Sequence, residues 1–313
     1  MPATMISSPI GKAMPRDLTC DLDLSRDEVI ALLDLTEQVK AAPMRYAKSL
    51  TGRYLSLLFE KPSLRTRLTF ELAIKQLGGD FVGNVGPIGD REPLKDMARN
   101  LERWTNGIVA RTFTQFTIDE LARWSSVPVI NALSDLYHPC QALADIFTLK
   151  EKFGNLKGLK LAFVGDGNNV AHSLMLTASR LGMSFTLAHP DGYAPNADIV
   201  QQAQQFAKET QADVVVTRDP SEAVTGANAV YTDVWASMGQ ESEAGQRRKD
   251  FHPYQVNEAL MIQAPGALFM HCLPAKRGEE CTDEVMEAPN SVVFDQAENR
   301  LHAQKALLLM LLS

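Results

Sequence analysis

The segment Phe59-Glu60-Lys61-Pro62-Ser63-Leu64-Arg65-Thr66-Arg67 gathers what a phosphate needs. It joins an expected buried strand to an expected helix. Ser63 at the helix N-cap leaves the first backbone N–H groups free to face an anion. Arg65 and Arg67 add positive charge and Thr66 a hydroxyl. On these residues alone, a phosphate cradle and an ordinary capped helix with solvated arginines weigh about equally. A second turn, Gly165-Asp166-Gly167-Asn168-Asn169-Val170, also follows a strand and opens a helix, as a dinucleotide-binding G-x-G-x-x-G does. Val170 stands where the third glycine belongs. The next strand ends Ala188-His189-Pro190, without the acidic residue that holds a ribose. A nucleotide-dependent oxidoreductase is therefore a weak reading. Cys20, Cys140, Cys272 and Cys281 contain no C-x-x-C pair, so a zinc site of ordinary spacing is not expected.

Ser63-Leu64-Arg65-Thr66-Arg67 resembles the Ser-Thr-Arg-Thr-Arg phosphate motif of the aspartate and ornithine carbamoyltransferases. Three more segments agree in order and spacing: His138-Pro139-Cys140-Gln141, Asp233-Val234-Trp235-Ala236-Ser237-Met238-Gly239 and His271-Cys272-Leu273-Pro274. The last two are similar to the ornithine branch, as is Ala275-Lys276-Arg277-Gly278-Glu279-Glu280. The resemblance runs from about residue 24 to the end. Each motif alone is weak to moderate, and the four in register are specific.

The resemblance implies transfer of the carbamoyl group of carbamoyl phosphate to the δ-amine of L-ornithine by direct attack, through a tetrahedral intermediate. Ser63, Leu64 through its backbone, Arg65, Thr66 and Arg67 would hold the phosphate. Arg111 and His138 would donate to the carbonyl oxygen and stabilise charge in the transition state. Gln141 would hold the carbamoyl amide, and Leu273 and Arg300 would complete that site. Asn169, Asp233, Ser237 and Met238 would contact ornithine. Cys272 would lie near the reacting amine and the carbamoyl group, as a catalytic residue and part of the carbamoyl phosphate site, where a thiolate beside a cation is physically reasonable, without covalent catalysis. Catalysis would rest on positioning and charge stabilisation, and no metal or organic cofactor is implied. Read singly, these residues also have plain roles: a core histidine, a strand-end aspartate, packing methionine, an inert buried cysteine and a helix-cap arginine.

Two departures stand out. Leu64 replaces the threonine of the motif, which removes one hydroxyl and keeps the backbone N–H. In the family, the loop after residue 82 crosses to a neighbouring subunit with a Ser-Gln pair near carbamoyl phosphate. Here it reads Gly86-Pro87-Ile88-Gly89-Asp90-Arg91-Glu92-Pro93. Arg91 either replaces the missing contact across the interface or faces solvent paired with Asp90. An N-acylated or altered ornithine is the alternative acceptor, and a catalytically silent ligand-binding paralogue the alternative class. Retention of Arg111, His138, Gln141, Asp233 and Cys272 together argues against silence.

These residues need a scaffold. Strands are expected at 54–59, 81–85, 107–111 and 128–132, with helices at 64–77, 94–104 and 117–124 between them. A helix at 138–153 leads to a second series of strands at 159–165, 184–188, 213–217, 229–233 and 267–271. Ser25-Arg26-Asp27-Glu28 is a capping box, followed by Val29, Leu32, Leu33, Thr36 and Val39 at helical spacing. The polar stretch 239–249 is expected to be a mobile loop. The pattern predicts an α/β fold of two doubly wound parallel-sheet domains joined by long interdomain helices. Residues 1–140 would bind carbamoyl phosphate and 141–295 ornithine, with a C-terminal helix at about 296–313 packing back on the first. The motifs follow strands, which places the site in the cleft outside the strands' carboxyl ends.

The 313 residues fit two domains, and a net charge of −7 argues against a nucleic-acid-binding surface. In an acidic chain an anion site needs locally gathered cations. No membrane span or secretory signal is expected, and scattered cysteines fit a reducing, cytoplasmic setting. The resemblance implies a homotrimer or a multiple of trimers, with sites at subunit interfaces.

Overall fold

The computed structural model describes residues 17–60, 63–236 and 241–313. Ser25 caps helix α1 (Arg26–Ala41) through the reciprocal Ser25–Glu28 hydrogen bonds of a capping box, and Val29, Leu32, Leu33, Thr36 and Val39 form its buried stripe. Then β1 (Tyr54–Phe59), α2 (Leu64–Gln76), β2 (Asp80–Val85), α3 (Leu94–Trp104), β3 (Gly107–Arg111), α4 (Gln115–Trp124) and β4 (Val129–Leu133) alternate. Gly78 ends the α2 turn at φ +92°, where a Cβ would also lie 2.8 Å from the Ala47 carbonyl oxygen. The four strands form a parallel sheet in the order β2-β1-β3-β4. Apart from Tyr54 at its start, β1 is buried, as its apolar run requires of a central strand.

Helix α5 (Pro139–Phe153) leads into β5 (Lys160–Val164), α6 (Asn169–Arg180), β6 (Ser184–Ala188), α7 (Ala197–Thr210), β7 (Val214–Thr217), α8 (Pro220–Val224) and β8 (Ala229–Thr232). After α9 (Ala244–Phe251), α10 (Glu258–Met261), β9 (Leu268–His271) and α11 (Asp283–Met286), the chain ends in α12 (Val293–Leu312). The second sheet is parallel in the order β7-β6-β5-β8-β9. Helix α12 packs against α1, α2 and α5, and also reaches β9, so α5 and α12 together join the two sheets. Eleven of the fifteen α5 residues are buried, as expected of a helix enclosed between layers.

The expected loop at 239–249 is corrected: 244–251 form α9, while 239 and 240 lie outside the described residues. The physical reason is Arg247. Its guanidinium donates to Asp166 at 2.7 Å, to the Trp235 carbonyl at 2.8 Å and to Glu243 at 3.1 Å, and lies over the Tyr193 ring at 4.8 Å. A segment that looks solvated in sequence is tied down by partners far away in the chain.

The N-terminal segment also bridges the sheets. Leu18 pairs with Ile130 beside β4, and the buried Asp21 carboxylate accepts from Ser173 and Thr177 on α6. Ser173 in turn accepts the backbone N–H of His138 at 2.9 Å. Burial pushes the Asp21 carboxyl up to about 6. No described helix is long and apolar enough to cross a membrane.

Candidate active site

The carboxyl ends of β1, β3, β4, β5, β8 and β9 converge on one cleft of about 550 Å³. From the first sheet come Ser63, Leu64, Arg65, Thr66, Arg111 and His138. From the second come Asn168, Asn169, Asp233, Cys272 and Leu273, while Gln141 and Arg300 reach it from α5 and α12.

Ser63 caps α2 with extended backbone, and no side-chain hydrogen bond from the described residues closes the helix end. Its first N–H groups are the anion-binding end of a helix dipole. Thr66 is buried, and its hydroxyl oxygen accepts from Arg111 Nη1 at 3.4 Å and from Arg300 Nη2. Burial lowers Arg111 to about 10, with nearby Arg300 and Arg65 adding to the shift. Burial also lowers Arg300, again with Arg65 contributing. An acidic chain thus brings two guanidinium groups onto one buried hydroxyl, with the charge of Arg65 close enough to act on both. Such crowding is unfavourable until an anion offsets it.

His138 is 5% exposed, and its pKa is held well below the ordinary imidazole value by burial first, then by Arg300 and Arg111. It is neutral in the physiological range. Four buried atoms at this end have no hydrogen-bond partner among the described residues: Arg111 Nε, His138 Nδ1, Gln141 Oε1 and Arg300 Nε. Buried polar atoms are normally paired, so a cluster of orphans in one cleft marks groups kept for a ligand.

At the other end, Asp233 is 7% exposed. Its Oδ2 accepts from Asn168 Nδ2 at 2.9 Å and its Oδ1 from Cys272 Sγ at 3.0 Å. Cys272 is a thiol here, which corrects the thiolate expectation: burial first and then Asp233 raise its pKa well above the ordinary thiol value. Asp233 supplies the negative charge in this corner. Leu273 sits at φ +58°, a left-handed backbone unusual for a branched residue. Its N–H donates to His271 Nδ1 at 2.8 Å, so His271 presents Nε2–H to Glu280 at 3.1 Å. Asp233, His271 and Cys272 bring potential metal-ligand atoms within 4.8 Å of one another. Both His271 nitrogens are engaged within the protein, and Asp233 and Cys272 bond each other, so a cation there must break these contacts.

Arg67 does not join the cleft. It pairs with Glu71 one helical turn on, at 2.6 Å, and borders a neighbouring depression with Leu64, Leu68 and Val85. Arg91 is exposed and has no ion-pair partner among the described residues, Asp90 included. Ser237 and Met238 lie outside the described residues. Asn169 lines the cleft and donates to the Ser134 carbonyl at 2.6 Å, fixing the turn before His138.

Sequence reasoning missed Asn168, which caps α6 through the Val170 and Ala171 N–H groups and orients Asp233. The signal was the Gly167-Asn168 turn. A Cβ on Gly167 would lie 2.2 Å from the Pro195 nitrogen, so this position admits only glycine beside the site.

Residues 16–151 match the family model "Aspartate/ornithine carbamoyltransferase, carbamoyl-P binding domain", and 157–311 match "Aspartate/ornithine carbamoyltransferase, Asp/Orn binding domain". The ornithine carbamoyltransferase of Thermococcus kodakarensis is 49% identical, over 95% of this chain and 96% of its own length. That of Thermus thermophilus is 51% identical, over 96% and 97%. The solved structure of ornithine carbamoyltransferase from Pyrococcus furiosus is 47% identical, covers 96% of this chain and 97% of its own, and superposes with a TM-score of 0.92.

Proposed function

The chain belongs to the aspartate/ornithine carbamoyltransferase family, and from that premise we propose that it carbamoylates the δ-amine of L-ornithine with carbamoyl phosphate, giving L-citrulline and phosphate. The observation that carries this is the polarity of the cleft. Arg65, Arg111 and Arg300 gather at one end, and the Asp233 carboxylate stands at the other.

In this reading, residues up to about 140 form the carbamoyl phosphate domain, 141–295 the ornithine domain, and the helix from about 296 returns to the first. The division follows the two sheets, β1 to β4 and β5 to β9. The α2 N-terminus, Ser63, Arg65 and Thr66 hold the phosphate, with Arg300 behind Thr66. Arg111 and neutral His138 donate to the carbonyl oxygen. Gln141 accepts from the carbamoyl NH2 group. Asp233 and Asn169, together with Ser237 and Met238, take ornithine, with Asp233 attracting an ammonium.

The neutral δ-nitrogen attacks the carbonyl carbon, a C–N bond forms, and the carbonyl π electrons move to oxygen beside Arg111 and His138. Collapse breaks the C–O bond to phosphate, and the leaving phosphate takes the amine proton. The thiol of Cys272 donates to Asp233 and forms no bond to carbon. The acceptor is tested by offering the purified protein carbamoyl phosphate with ornithine, N-acetylornithine, N-succinylornithine, aspartate or putrescine. Turnover with ornithine above the others supports this reading. Turnover only with an acylated amine moves the specificity to the altered loop around Pro87.

The active form is proposed to be a homotrimer or a multiple of it, in the cytoplasm, where its four free cysteines suit a reducing medium. On α2, Leu64, Leu68 and Leu72 recur every four residues and are exposed by 71%, 45% and 45%, beside exposed Val82 and Val85 of edge strand β2. A contiguous apolar face on a helix and an unpaired sheet edge fits contact with a second copy. Leu64, a departure from the phosphate motif, then contributes its side chain to the interface and its backbone to the anion. Leu68→Glu is expected to convert the oligomer to monomers in sedimentation velocity while the circular dichroism spectrum stays native. An unchanged sedimentation coefficient would place the interface elsewhere.

A further inference from the structure

Gln141 and Asp145 stand one turn apart on α5, 1% and 0% exposed. Gln141 Nε2 donates to Asp145 Oδ1 at 2.8 Å. The same oxygen accepts from Gln296 Nε2 at 2.7 Å, and Oδ2 accepts from the Tyr231 hydroxyl at 2.9 Å. Gln296 is itself oriented, because its Oε1 accepts the backbone N–H of His271 at 3.0 Å. Three donors from α5, α12 and β8 therefore converge on one carboxylate, which can serve all three only as an acceptor. An amide that gives its NH2 to this carboxylate must turn its oxygen the other way. That oxygen is the buried Gln141 Oε1, without a partner among the described residues, on a residue lining the cleft.

We propose that Asp145 is a positioning residue that selects the carbamoyl group: it locks the Gln141 amide with its oxygen toward the substrate, so that only an acyl phosphate carrying an N–H donor is accepted. This rests on the proposed placement of the carbamoyl group beside Gln141. Acetyl phosphate has the same phosphate and carbonyl but a methyl in place of NH2. Bound there, it leaves Oε1 buried and unpaired. Sites built to hydrogen-bond a substrate OH or NH reject the analogue lacking it by about 10⁴-fold or more. If Asp145 cannot accept, the amide is free to rotate and present its NH2, and that discrimination falls.

The readout is the ratio of the acetyl phosphate inhibition constant to the carbamoyl phosphate KM, both measured on the full-length protein. A general loss of order moves both constants together, whereas loss of amide orientation moves the ratio. Asp145→Leu removes both acceptor oxygens and is expected to lower the ratio at least about tenfold. Asp145→Asn is the conservative variant: its Oδ1 still accepts from Gln141 and Gln296 while its NH2 faces the Tyr231 hydroxyl oxygen, so it is expected to keep most of the ratio. A ratio within twofold of wild type in D145L overturns the proposal, as does an equal loss in D145N and D145L.

Should D145L not fold, Asp145→Val, which removes the same two oxygens with less volume, carries the test: its ratio is expected to fall at least about tenfold, and a ratio within twofold of wild type counts against the proposal. Protonation does not replace these variants, because a proton on Oδ2, which faces the rotatable Tyr231 hydroxyl, leaves Oδ1 accepting from Gln141. Gln141→Ala separates the two levels. If it leaves the ratio unchanged, the placement of the carbamoyl group is wrong. If it lowers the ratio while D145L does not, only the role of Asp145 fails.

Discussion

Arg111→Met is expected to lower kcat for citrulline formation by about two to three orders of magnitude. Removing one preorganised donor to a developing oxyanion costs about 2.7–4 kcal/mol in kcat. Arg111 is placed for this by its position at the end of β3, with Nη1 on Thr66 and a buried Nε that has no protein partner among the described residues. The KM for carbamoyl phosphate should rise as well, since the same charge meets the substrate. Stability separates this from misfolding. Arg111 is half-buried beside Arg300 and Arg65; burial first, then these two charges, lower its pKa to about 10. Its folded pKa is depressed, so its charge works against folding, and the methionine variant should melt no lower than wild type. Steady-state kinetics with a thermal melt decides the matter. A kcat within tenfold of wild type would remove Arg111 from the transition state, and a large fall in Tm would make the kinetic loss structural.

Asp233→Asn is expected to raise the ornithine KM by about a hundredfold while the carbamoyl phosphate KM changes little. The carboxylate accepts from Asn168 and Cys272, which leaves further acceptor capacity for an ammonium. Asparagine keeps the shape but loses the charge and turns an NH2 toward groups that are themselves donors. Truncating one partner of a buried, hydrogen-bonded charge pair costs about 2–5 kcal/mol, and about 1.4 kcal/mol is tenfold. Initial rates over a grid of both substrates read the two constants separately. Equal rises in both, or an ornithine KM within threefold of wild type, would contradict the ammonium role of Asp233.

The scaffold under these residues was legible because its signal is local. Apolar runs at 107–111 and 184–188 give β3 and β6 at the expected boundaries, and the Ser25–Glu28 pair marks the α1 start without reference to the rest of the chain. The alternation then leaves few topologies, and the motifs at strand ends locate the cleft. What failed depends on partners distant in sequence. Helix α9 exists because Arg247 reaches Asp166, eighty-one positions away. The protonation of Cys272 follows from burial and from Asp233, thirty-nine positions earlier.

Arg67 shows a finer limit. The motif groups it with Arg65, but a helix turns successive side chains to different faces. Glu71, one turn on, then takes it away from the cleft. Asp145 was visible as the i+4 neighbour of Gln141, yet nothing in that spacing showed that Tyr231 and Gln296 would complete its hydrogen bonds. Asn168 was read only as part of a defective dinucleotide turn, because its bond to Asp233 crosses from one strand end to another.

The most direct measurement is rapid quench of the purified protein with carbamoyl phosphate and free ornithine, with citrulline and phosphate determined in the same samples. Direct transfer in one cleft predicts that both products appear one for one from the first turnover, with neither formed when a substrate is withheld. A burst of phosphate ahead of citrulline, or phosphate without citrulline, would contradict it.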